Sequence, residues 1–568
     1  MGHLNDMEKA SDQTQSLGAT HAEFGSRRRS LAAHVKYDNE GIGGIIRSPY
    51  VFGAALLASF GGFSFGYDQG VISLILVMPQ FHDQFPETAP GTPRYGFHVG
   101  FMTGMLELGA FIGCICLPFL ADRYSRKWGL TIATVFFCLG AIIQTAAHDY
   151  GTLVAGRFIG GIGVGTLAMG APLYISEVAP PNVRGSLLVL EAIAIVIGAI
   201  IAYWITYGTR VMSGDWAFRL PFLLQMIPAL AVGCGIHFFR FSPRWLAMRH
   251  RNEESLNSVA KLRRLPTTDE RVQLEYKGIL AEVKFQEAIL KHEHGTTSNA
   301  VVLEGKQWLD LFKPRYLRRT MISIAIPFFQ QFSGINAFVS RPGETDMKIE
   351  TNAFQVYYAP TFFAALGIDY ETTLILSGMV NICQFVAGIP TFLFLDKVGR
   401  RKIAIFGGFA MGVPHLIMAG IVSKYSSSWE THKGMGWFGV ALIYIYVLMY
   451  ACSYGPLAWC LPAELWSNSK RAKGVGIATA TVWWANFVIG VVVPQMVISL
   501  GWGTYLFFGC FCFAASIFSY FFVPEASGKT LEEIGEIFGD NSVASEEEIR
   551  QRVEEQIWTV PTTIKQSA

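Results

Sequence analysis

The chain has 568 residues, of which 51% are hydrophobic and 15% are charged, with a formal net charge of +2. Soluble domains carry about 25% charged residues, so this composition is typical of a membrane protein. The small net charge and the lack of a basic stripe argue against a nucleic-acid partner. The nine cysteines lie mostly in apolar runs, which indicates small hydrophobic residues rather than disulfides or metal ligands.

Residues 1–49 are polar and lack the apolar core of a cleaved signal peptide, so we expect a cytoplasmic N-terminal tail. Apolar runs of about 20 residues, the length that a helix needs to cross a bilayer, then follow one another. They predict an all-α multi-pass membrane protein with about twelve transmembrane helices in two six-helix halves. In the first half, 50–239, the expected spans are 51–78, 97–121, 128–148, 151–175, 186–208 and 219–239. In the second half, 318–523, they are 318–338, 369–395, 402–422, 436–462, 474–499 and 503–523.

Between the halves lies a charged segment, 240–317, whose residues favour helices and cannot cross a membrane. We expect it to form an aqueous helical linker domain. The acidic tail, 524–568, is predicted to be a solvated appendage. Lys and Arg are concentrated in the even-numbered connections, which places those connections and both termini in the cytoplasm of a cell-membrane protein.

The two halves repeat each other. "LADRYSRK", from Leu120, corresponds to "FLDKVGRRK", from Phe394, and "ISEVAPPNVRG", from Ile175, corresponds to "PAELWSNSKRAKG", from Pro462. Parallel six-helix repeats are typical of transporters that rock around a central site. With "GYDQGVIS", "QQFSGIN" and "VPEASGKTLEEI" in the same order, the chain resembles the sugar porter family of the major facilitator superfamily, of the fungal type.

The resemblance implies the major facilitator fold and a secondary active transporter without a cofactor. It implies import of a sugar or related polyhydroxylated molecule by proton symport, through alternating access. The partners expected are therefore the substrate, protons and the lipid bilayer, and we expect a monomer.

Opposite charges at the cytoplasmic helix ends could pair across neighbouring helices and latch the inner face. The resemblance assigns a gating salt-bridge network to these residues. The expected pairs are Asp122 with Arg126, Glu177 with Arg184, Asp396 with Arg400, and Glu464 with Arg471. The alternative is that they are ordinary positive-inside anchors with acids at helix ends.

Asp68 is the one acid in the run "GGFSFGYDQGVIS". A carboxylate inside a span costs about 3 kcal/mol, so it normally faces a cavity and has a partner. Arg157 is the nearest candidate partner by residue type. The resemblance implies that Asp68 loads and releases the proton while Arg157 tunes its affinity. The alternative is a permanent ion pair that only joins two helices.

A substrate site at the midplane needs side chains that hydrogen-bond hydroxyl groups and an aromatic face for a sugar ring. In "QQFSGIN", a helix break at Gly334 would bring polar groups together. Trp459 matches the ring-stacking tryptophan of the resembling family. The candidate substrate residues are Gln330, Gln331, Asn336, Gln384 with Asn381 as its competitor, Trp459, Trp483 and Asn486. Ordinary helix packing is the alternative for the aromatic residues other than Trp459.

Two positions depart from the family's pattern. Ala192 and Val482 stand where hexose porters usually carry a polar amide, although Glu191 is adjacent to the first. A buried site without a partner for a hydroxyl discriminates against that hydroxyl, which weakens the case for glucose. The alternative substrates are a different sugar, a disaccharide, a polyol, a sugar acid, quinate and a specialised metabolite.

The motifs of two enzyme classes are incomplete. "SGKT" at Ser527 lacks the glycine spacing of a phosphate loop, and "HEHG" at His292 lacks the spacing of a zinc helix, so we expect no enzyme and no metal site. A facilitative uniporter, an exporter and a non-transporting nutrient sensor share the fold and stay as alternatives.

The segment 339–355 interrupts the seventh span with five charged residues. Each would cost about 2.5 to 3.5 kcal/mol at a bilayer centre. Joining Phe338 to Val356 restores "QQFSGINAFVYYAPTFF", so we predict a translated intron that the working protein lacks. The alternative is a genuine extracellular insertion in which Pro342 and Gly343 turn the chain.

Overall fold

A computed structural model of the chain describes residues 49–180, 184–295, 299–335, 369–426, 428–429, 431–467, 469–526, 531–539 and 542–559. In these ranges the regular structure is helical. The helices of the first half are α1 Pro49–Ile75, α2 Pro79–Gln84, α3 Tyr95–Arg123, α4 Arg126–Ala146, α5 Tyr150–Val178, α6 Arg184–Thr209, α7 Trp216–Leu224 and α8 Met226–Gly235, with short 3₁₀ turns at Pro86–Thr88 and Ile236–Phe238.

The linker forms four helices: α9 Pro243–Met248, α10 Asn252–Arg263, α11 Glu270–His294 and α12 Ala300–Asp310. The second half contains α13 Pro314–Gln330, a π-helical turn Gln331–Ile335, α14 Tyr370–Val398, α15 Arg400–Tyr425, α16 Lys433–Ala451, α17 Tyr454–Leu465, α18 Arg471–Leu500 and α19 Gly503–Phe522. The tail adds α20 Leu531–Ile537 and α21 Ser542–Thr559.

Within the described ranges, 11 helical stretches are long and apolar enough to cross a membrane. Two of them join consecutive helices: Trp216–Phe238 combines α7, α8 and a 3₁₀ turn, and Lys433–Leu465 combines α16 and α17. The predicted seventh span begins as α13, and its continuation lies outside the described residues together with the segment 339–355. The multi-pass helical fold is therefore confirmed.

Glycines allow the helices of the first half to approach closely. A Cβ at Gly66 of α1 would lie 1.8 Å from the Ile195 carbonyl oxygen of α6, and one at Gly198 of α6 would lie 2.3 Å from the Phe63 oxygen of α1. Between α3 and α5, a Cβ at Gly161 would lie 2.1 Å from a backbone oxygen. Small residues are what let membrane helices pack backbone against backbone. Any side chain at these positions would therefore force the helices apart.

Among the described residues, the most extensive contacts between the halves are those of α3 with α18 and of α6 with α14. The linker lies at the helix ends that include Asp122 and Val178, because Trp245 Nε1 donates to the Asp122 oxygen at 3.2 Å and Arg263 Nη1 donates to the Val178 oxygen at 3.0 Å. We call this end of the molecule the linker face and the opposite end the far face.

The tail differs from the expectation of a solvated appendage. Helix α21 packs on linker helix α11, where Phe285 and Ile289 contact Val553 and Ile557. The Lys277 ammonium lies 5.5 Å from the Trp558 ring centroid. Apolar residues four apart along α21 form a stripe on one helix face, and burying that stripe is what fixes the helix to the linker.

Candidate functional site

The acid in the first span is paired. Arg157 Nη1 of α5 donates to Asp68 Oδ1 of α1 at 3.0 Å, and both side chains are 0% exposed. Gly61, two turns before Asp68 on α1, faces Ala171 of α5, so the helical repeat turns Asp68 toward α5 as well. Asp68 and Arg157, which the sequence could pair only by residue type, are therefore in direct contact in the structure.

This ion pair is incompletely hydrogen-bonded. Asp68 Oδ2, Arg157 Nε and Arg157 Nη2 have no hydrogen-bond partner among the described residues. Burying two charges is costly, and their attraction offsets that cost fully only when the remaining donors and acceptors are also satisfied. The site can therefore respond to a proton or a water molecule. The proton-coupling roles of both residues stay predictions.

The predicted break in the seventh span is present. Helix α13 ends at Gln330, and Gly334 has φ 92°, a left-handed conformation that favours glycine. Gln330 Nε2 donates to the Tyr454 oxygen at 3.1 Å and to the Gly455 oxygen at 3.0 Å, where α17 begins. Gln331 Nε2 donates to Gln330 Oε1 at 3.1 Å. The side-chain amide of Gln330 therefore links the end of α13 to the start of α17.

The other amide candidates take different positions. Asn381 and Asn486 are buried, and Gln384 is half-buried on α14. Asn336 lies outside the described residues. Their contacts with a substrate stay predictions.

The tryptophans also separate by environment. Trp459 of α17 is 42% exposed, which leaves its indole face available for contact. Trp483 of α18 is fully buried, with its ring edge-on to Phe65 of α1 at a centroid distance of 4.8 Å. Phe65 and Trp483 belong to different halves, so this contact lies at their interface.

The charged helix ends on the linker face form a repeated arrangement. Arg126 Nη1 donates to Asp122 Oδ1, and Arg126 Nη2 donates to Glu177 Oε1, both at 2.8 Å. In the second half, Arg400 Nη2 donates to Glu464 Oε1 at 2.6 Å. Arg126 and Arg400 occupy equivalent positions in the sequence repeat. The same kind of ion pair therefore occurs at the same position in both halves.

The pairing differs from the predicted one. We expected Glu464 to pair with Arg471, but within the described part of the chain Glu464 pairs with Arg400 and no ion pair joins it to Arg471. Glu177 pairs with Arg126. The side chains of Arg184 and Asp396, the other predicted partners, lie outside the described residues. The gating role of this network stays a prediction.

A second charged cluster, which sequence reasoning missed, fastens the linker to the second half. Lys470 Nζ lies 2.9 Å from Asp310 Oδ2 and also contacts Glu293. His294 Nε2 lies 2.8 Å from Asp310 Oδ2. Glu293, His294 and Asp310 could together surround a metal ion, but the Lys470 ammonium already lies against both carboxylates.

The acid of this cluster is held in its charged form. Burial raises the pKa of Asp310, but the hydrogen bonds from Lys313 and Lys470, with the nearby charges, outweigh burial and leave the pKa below its usual value. Asp310 is therefore charged at neutral pH.

Comparisons with known proteins agree with this architecture. The sequence profile of the family described as "Sugar (and other) transporter" matches residues 54–342 and 348–538. The chain is 31% identical over 509 residues to a high-affinity glucose transporter of Kluyveromyces lactis, covering 87% of this chain and 85% of that protein. It is 28% identical over 505 residues to H(+)/hexose cotransporter 2 of Parachlorella kessleri, covering 86% of each.

Solved structures of one bacterial transporter are also similar. The proton:xylose symporter XylE bound to 6-bromo-6-deoxy-D-glucose superimposes with a TM-score of 0.67 at 25% identity, covering 86% of this chain and 99% of that one. The inward-open conformation of the xylose transporter XylE from E. coli gives a TM-score of 0.64 at 25% identity, covering 86% and 100%. From these matches and its helical fold, the chain is a multi-pass membrane protein, not an enzyme, that belongs to the sugar porter family of the major facilitator superfamily.

Proposed function

We propose that this transporter imports a sugar or a related polyhydroxylated molecule together with a proton, by alternating access between its two halves. The linker face and both termini lie in the cytoplasm, and the protein resides in the cell membrane. The observation that carries the proposal is the buried Asp68–Arg157 ion pair, a titratable carboxylate 0% exposed inside the first half.

The physical argument concerns the cost of the buried charge. With Oδ2 of Asp68 unpartnered among the described residues, protonation of the carboxylate removes one of two desolvated charges and frees the guanidinium to change its contacts. A proton bound in one orientation and released in the other then couples the proton gradient to substrate movement. A cotransporter and a proton symporter among the similar proteins support this interpretation.

The substrate site is proposed at the interface of the halves. Trp459 provides an exposed aromatic face on α17, and the breaks at Gly334 and at the start of α17 lie together through Gln330. Broken helices at the midplane are where transporters commonly bind their substrates. Ala192 and Val482 offer no amide to a hydroxyl group, so we propose a substrate other than glucose, with Asn381, Gln384, Gln331, Asn336 and Asn486 as its polar contacts.

The deciding experiment is substrate-induced proton uptake by yeast cells that lack their own sugar transporters and express this chain. A panel of sugars, polyols and sugar acids is added to a weakly buffered suspension, and external pH is recorded. Alkalinisation with a transported compound supports symport. Uptake that equilibrates without any pH change identifies a facilitative uniporter, in which Asp68 and Arg157 only join two helices.

Replacing Asp68 by Asn tests the residue itself. The amide preserves the size of the side chain but cannot titrate, so accumulation against a gradient should be lost while equilibrium binding of substrate survives. Glu254→Gln, in an exposed ion pair with Arg251 at the start of α10, is the matched control and should accumulate substrate normally. Undiminished accumulation by Asp68→Asn, measured with a labelled substrate, would remove the proton-coupling role.

A further inference from the structure

An ion pair on the far face joins the two halves of the molecule. Arg210 follows the last residue of α6, and Glu371 lies in the first turn of α14. Arg210 Nη1 donates to Glu371 Oε1 at 3.0 Å, and Nη2 donates to Oε2 at 2.7 Å. Such two-point contacts between arginine and a carboxylate are stronger and more directional than single ones.

Four further contacts hold this pair in place. The Tyr207 hydroxyl donates to Glu371 Oε2 at 3.1 Å. The Arg210 guanidinium lies 4.3 Å from the Tyr207 ring centroid and 6.0 Å from that of Tyr370. Gln80 Nε2 of α2 donates to the Arg210 carbonyl oxygen at 3.2 Å. These contacts restrict the orientation of both the arginine and the carboxylate.

The pair lies at the outer end of the α6–α14 interface in the described part of the chain. Deeper along the same faces, the buried Tyr203 hydroxyl donates to the Leu374 oxygen at 2.8 Å, and Tyr203 packs closely on Gly378. Residues 203, 207 and 210 share one face of α6, and residues 371, 374 and 378 share one face of α14. Separation of these helices at the far face must therefore break the ion pair first.

The location distinguishes this pair from those on the linker face. In the described part of the chain, Arg126 binds Glu177 within the first half and Arg400 binds Glu464 within the second half. Neither pair needs to open when the halves move relative to each other. The Arg210–Glu371 pair does.

We infer that Arg210, Glu371 and Tyr207 form a far-face latch, a set of positioning residues that keeps the path between the halves closed and opens to admit substrate. This inference rests on the proposed alternating access and orientation, but it requires neither proton coupling nor a known substrate. The Glu371 side chain is 56% exposed, so water solvates both charges as they part and the latch can open and close repeatedly.

Accessibility of a buried position below the latch provides the test. Ser377 of α14 is 2% exposed, and Ser377→Cys places a thiol beneath the ion pair. A membrane-impermeant maleimide is added to intact cells without substrate, and its rate of reaction is measured against the same protein lacking this substitution. The far face is proposed to lie outside the cell, so the rate reports how often it opens.

Glu371→Gln in this background should raise the labelling rate about fivefold, since an ion pair of this exposure stabilises the closed state only modestly. Tyr207→Phe, which removes one hydroxyl, should raise it about twofold by the same reasoning. The double charge exchange Arg210→Glu with Glu371→Arg should return the rate toward that of the parent, a rescue that a merely structural role would not give.

Asp215→Asn is the matched control, because Asp215 pairs with Arg219 at 3.3 Å on the same face but within one half. Its labelling rate should equal that of the parent. Rates in Glu371→Gln and Tyr207→Phe that stay at the parental value would overturn the latch. Failure of the proposed proton symport would leave the differences between these rates unchanged, because no substrate is added and all variants are compared in the same intact cells.

Discussion

Arg157 and Arg126 are both buried arginines paired with carboxylates, yet their surroundings differ. Arg126 directs Nε, Nη1 and Nη2 to oxygen atoms of the protein. Arg157 makes one hydrogen bond to Asp68, while its Nε and Nη2 atoms have none among the described residues. A fully bonded arginine holds its helix ends in one arrangement, whereas an incompletely bonded one can exchange partners at smaller cost.

Trp459 permits a test of substrate stacking. Trp459→Ala should weaken the apparent affinity for the transported compound by about 1 kcal/mol or more, because it removes aromatic contact area. The measurement is KM for uptake by intact cells. Trp437→Ala, at a tryptophan of similar exposure near the start of α16, should leave KM unchanged. Equal KM values for Trp459→Ala and the unmodified protein would indicate that Trp459 contributes to helix packing and not to substrate binding.

Single residues were predictable where their chemistry conflicts with their surroundings. A lone acid in an apolar run identified Asp68, and residue type alone suggested Arg157. The bond from Gln330 to the start of α17 was not predictable, because it ends on backbone oxygens that carry no sequence signature. Arg210 and Glu371 resemble ordinary charges at helix ends, and only the crossing of α6 with α14 brings them together.

Among the helices, α21 packs on the linker, a contact that its charged composition did not suggest. Its residues 549, 553 and 557 recur at intervals of four, which places them on one face against Phe285 and Ile289 of the linker. This periodic signal was present in the sequence, but the acidic residues between those positions dominated the interpretation. The break at Gly334, in contrast, was predictable because glycine between polar residues is a local feature.

Substitutions on α21 should loosen the linker. Val553→Asp places a charge in the apolar contact with Phe285, so α21 should detach and the melting temperature of the purified protein should fall. Glu548→Gln, in an exposed ion pair with Arg552 on the same helix, should leave the melting temperature unchanged. Equal melting temperatures for Val553→Asp and the unmodified protein would indicate that the contact contributes no stability.

The Asp310 cluster predicts a pH dependence for the linker. The pKa of Asp310 in the folded protein lies below its usual value of about 3.9, so its ion pairs contribute stability that is complete above that value. This contribution is lost as pH falls through the lower folded-state pKa. Asp310→Asn should therefore lower the melting temperature at pH 7, and the difference should shrink below about pH 4.

Glu254→Gln serves as the control for that measurement, because Glu254 lies in an exposed pair with Arg251 at the start of a linker helix. Its melting temperature should follow that of the unmodified protein at every pH. A deficit of Asp310→Asn that stayed constant from neutral to acidic pH would contradict an electrostatic origin.

For the whole molecule, hydropathy and the internal repeat were sufficient to predict the helical class and the family, because both are distributed over hundreds of residues. The partner of each charged helix end was harder to predict. Local spacing suggested Arg471 for Glu464, but the helices place Arg400 there instead. Three-dimensional contacts between distant segments depend on helix crossing, which the sequence does not encode locally.

The segment 339–355 should be dispensable. The family profile leaves residues 343–347 unmatched, within the segment that interrupts the seventh span. A chain in which Phe338 is joined directly to Val356 should transport at least as fast as the full-length chain, because it removes five charged residues from the apolar sequence of the seventh span. Uptake by both forms, together with sequencing of the transcript, provides the measurement. A dominant transcript that retains those codons, with transport only by the full-length protein, would establish a genuine insertion.

The glycine contacts of the first half have a mechanical consequence. With backbone against backbone at Gly66, Gly161 and Gly198, the helices α1, α3, α5 and α6 cannot slide or tilt independently. In the second half, the tight glycine contacts in the described ranges are mostly with side chains: a Cβ at Gly407 would lie 2.3 Å from Ser453 Cβ, and one at Gly412 would lie 2.8 Å from the Phe513 ring. The seventh span there is also broken at Gly334. The transport cycle should therefore be mechanically asymmetric: one half turns as a stiff block, while bending is concentrated in the other.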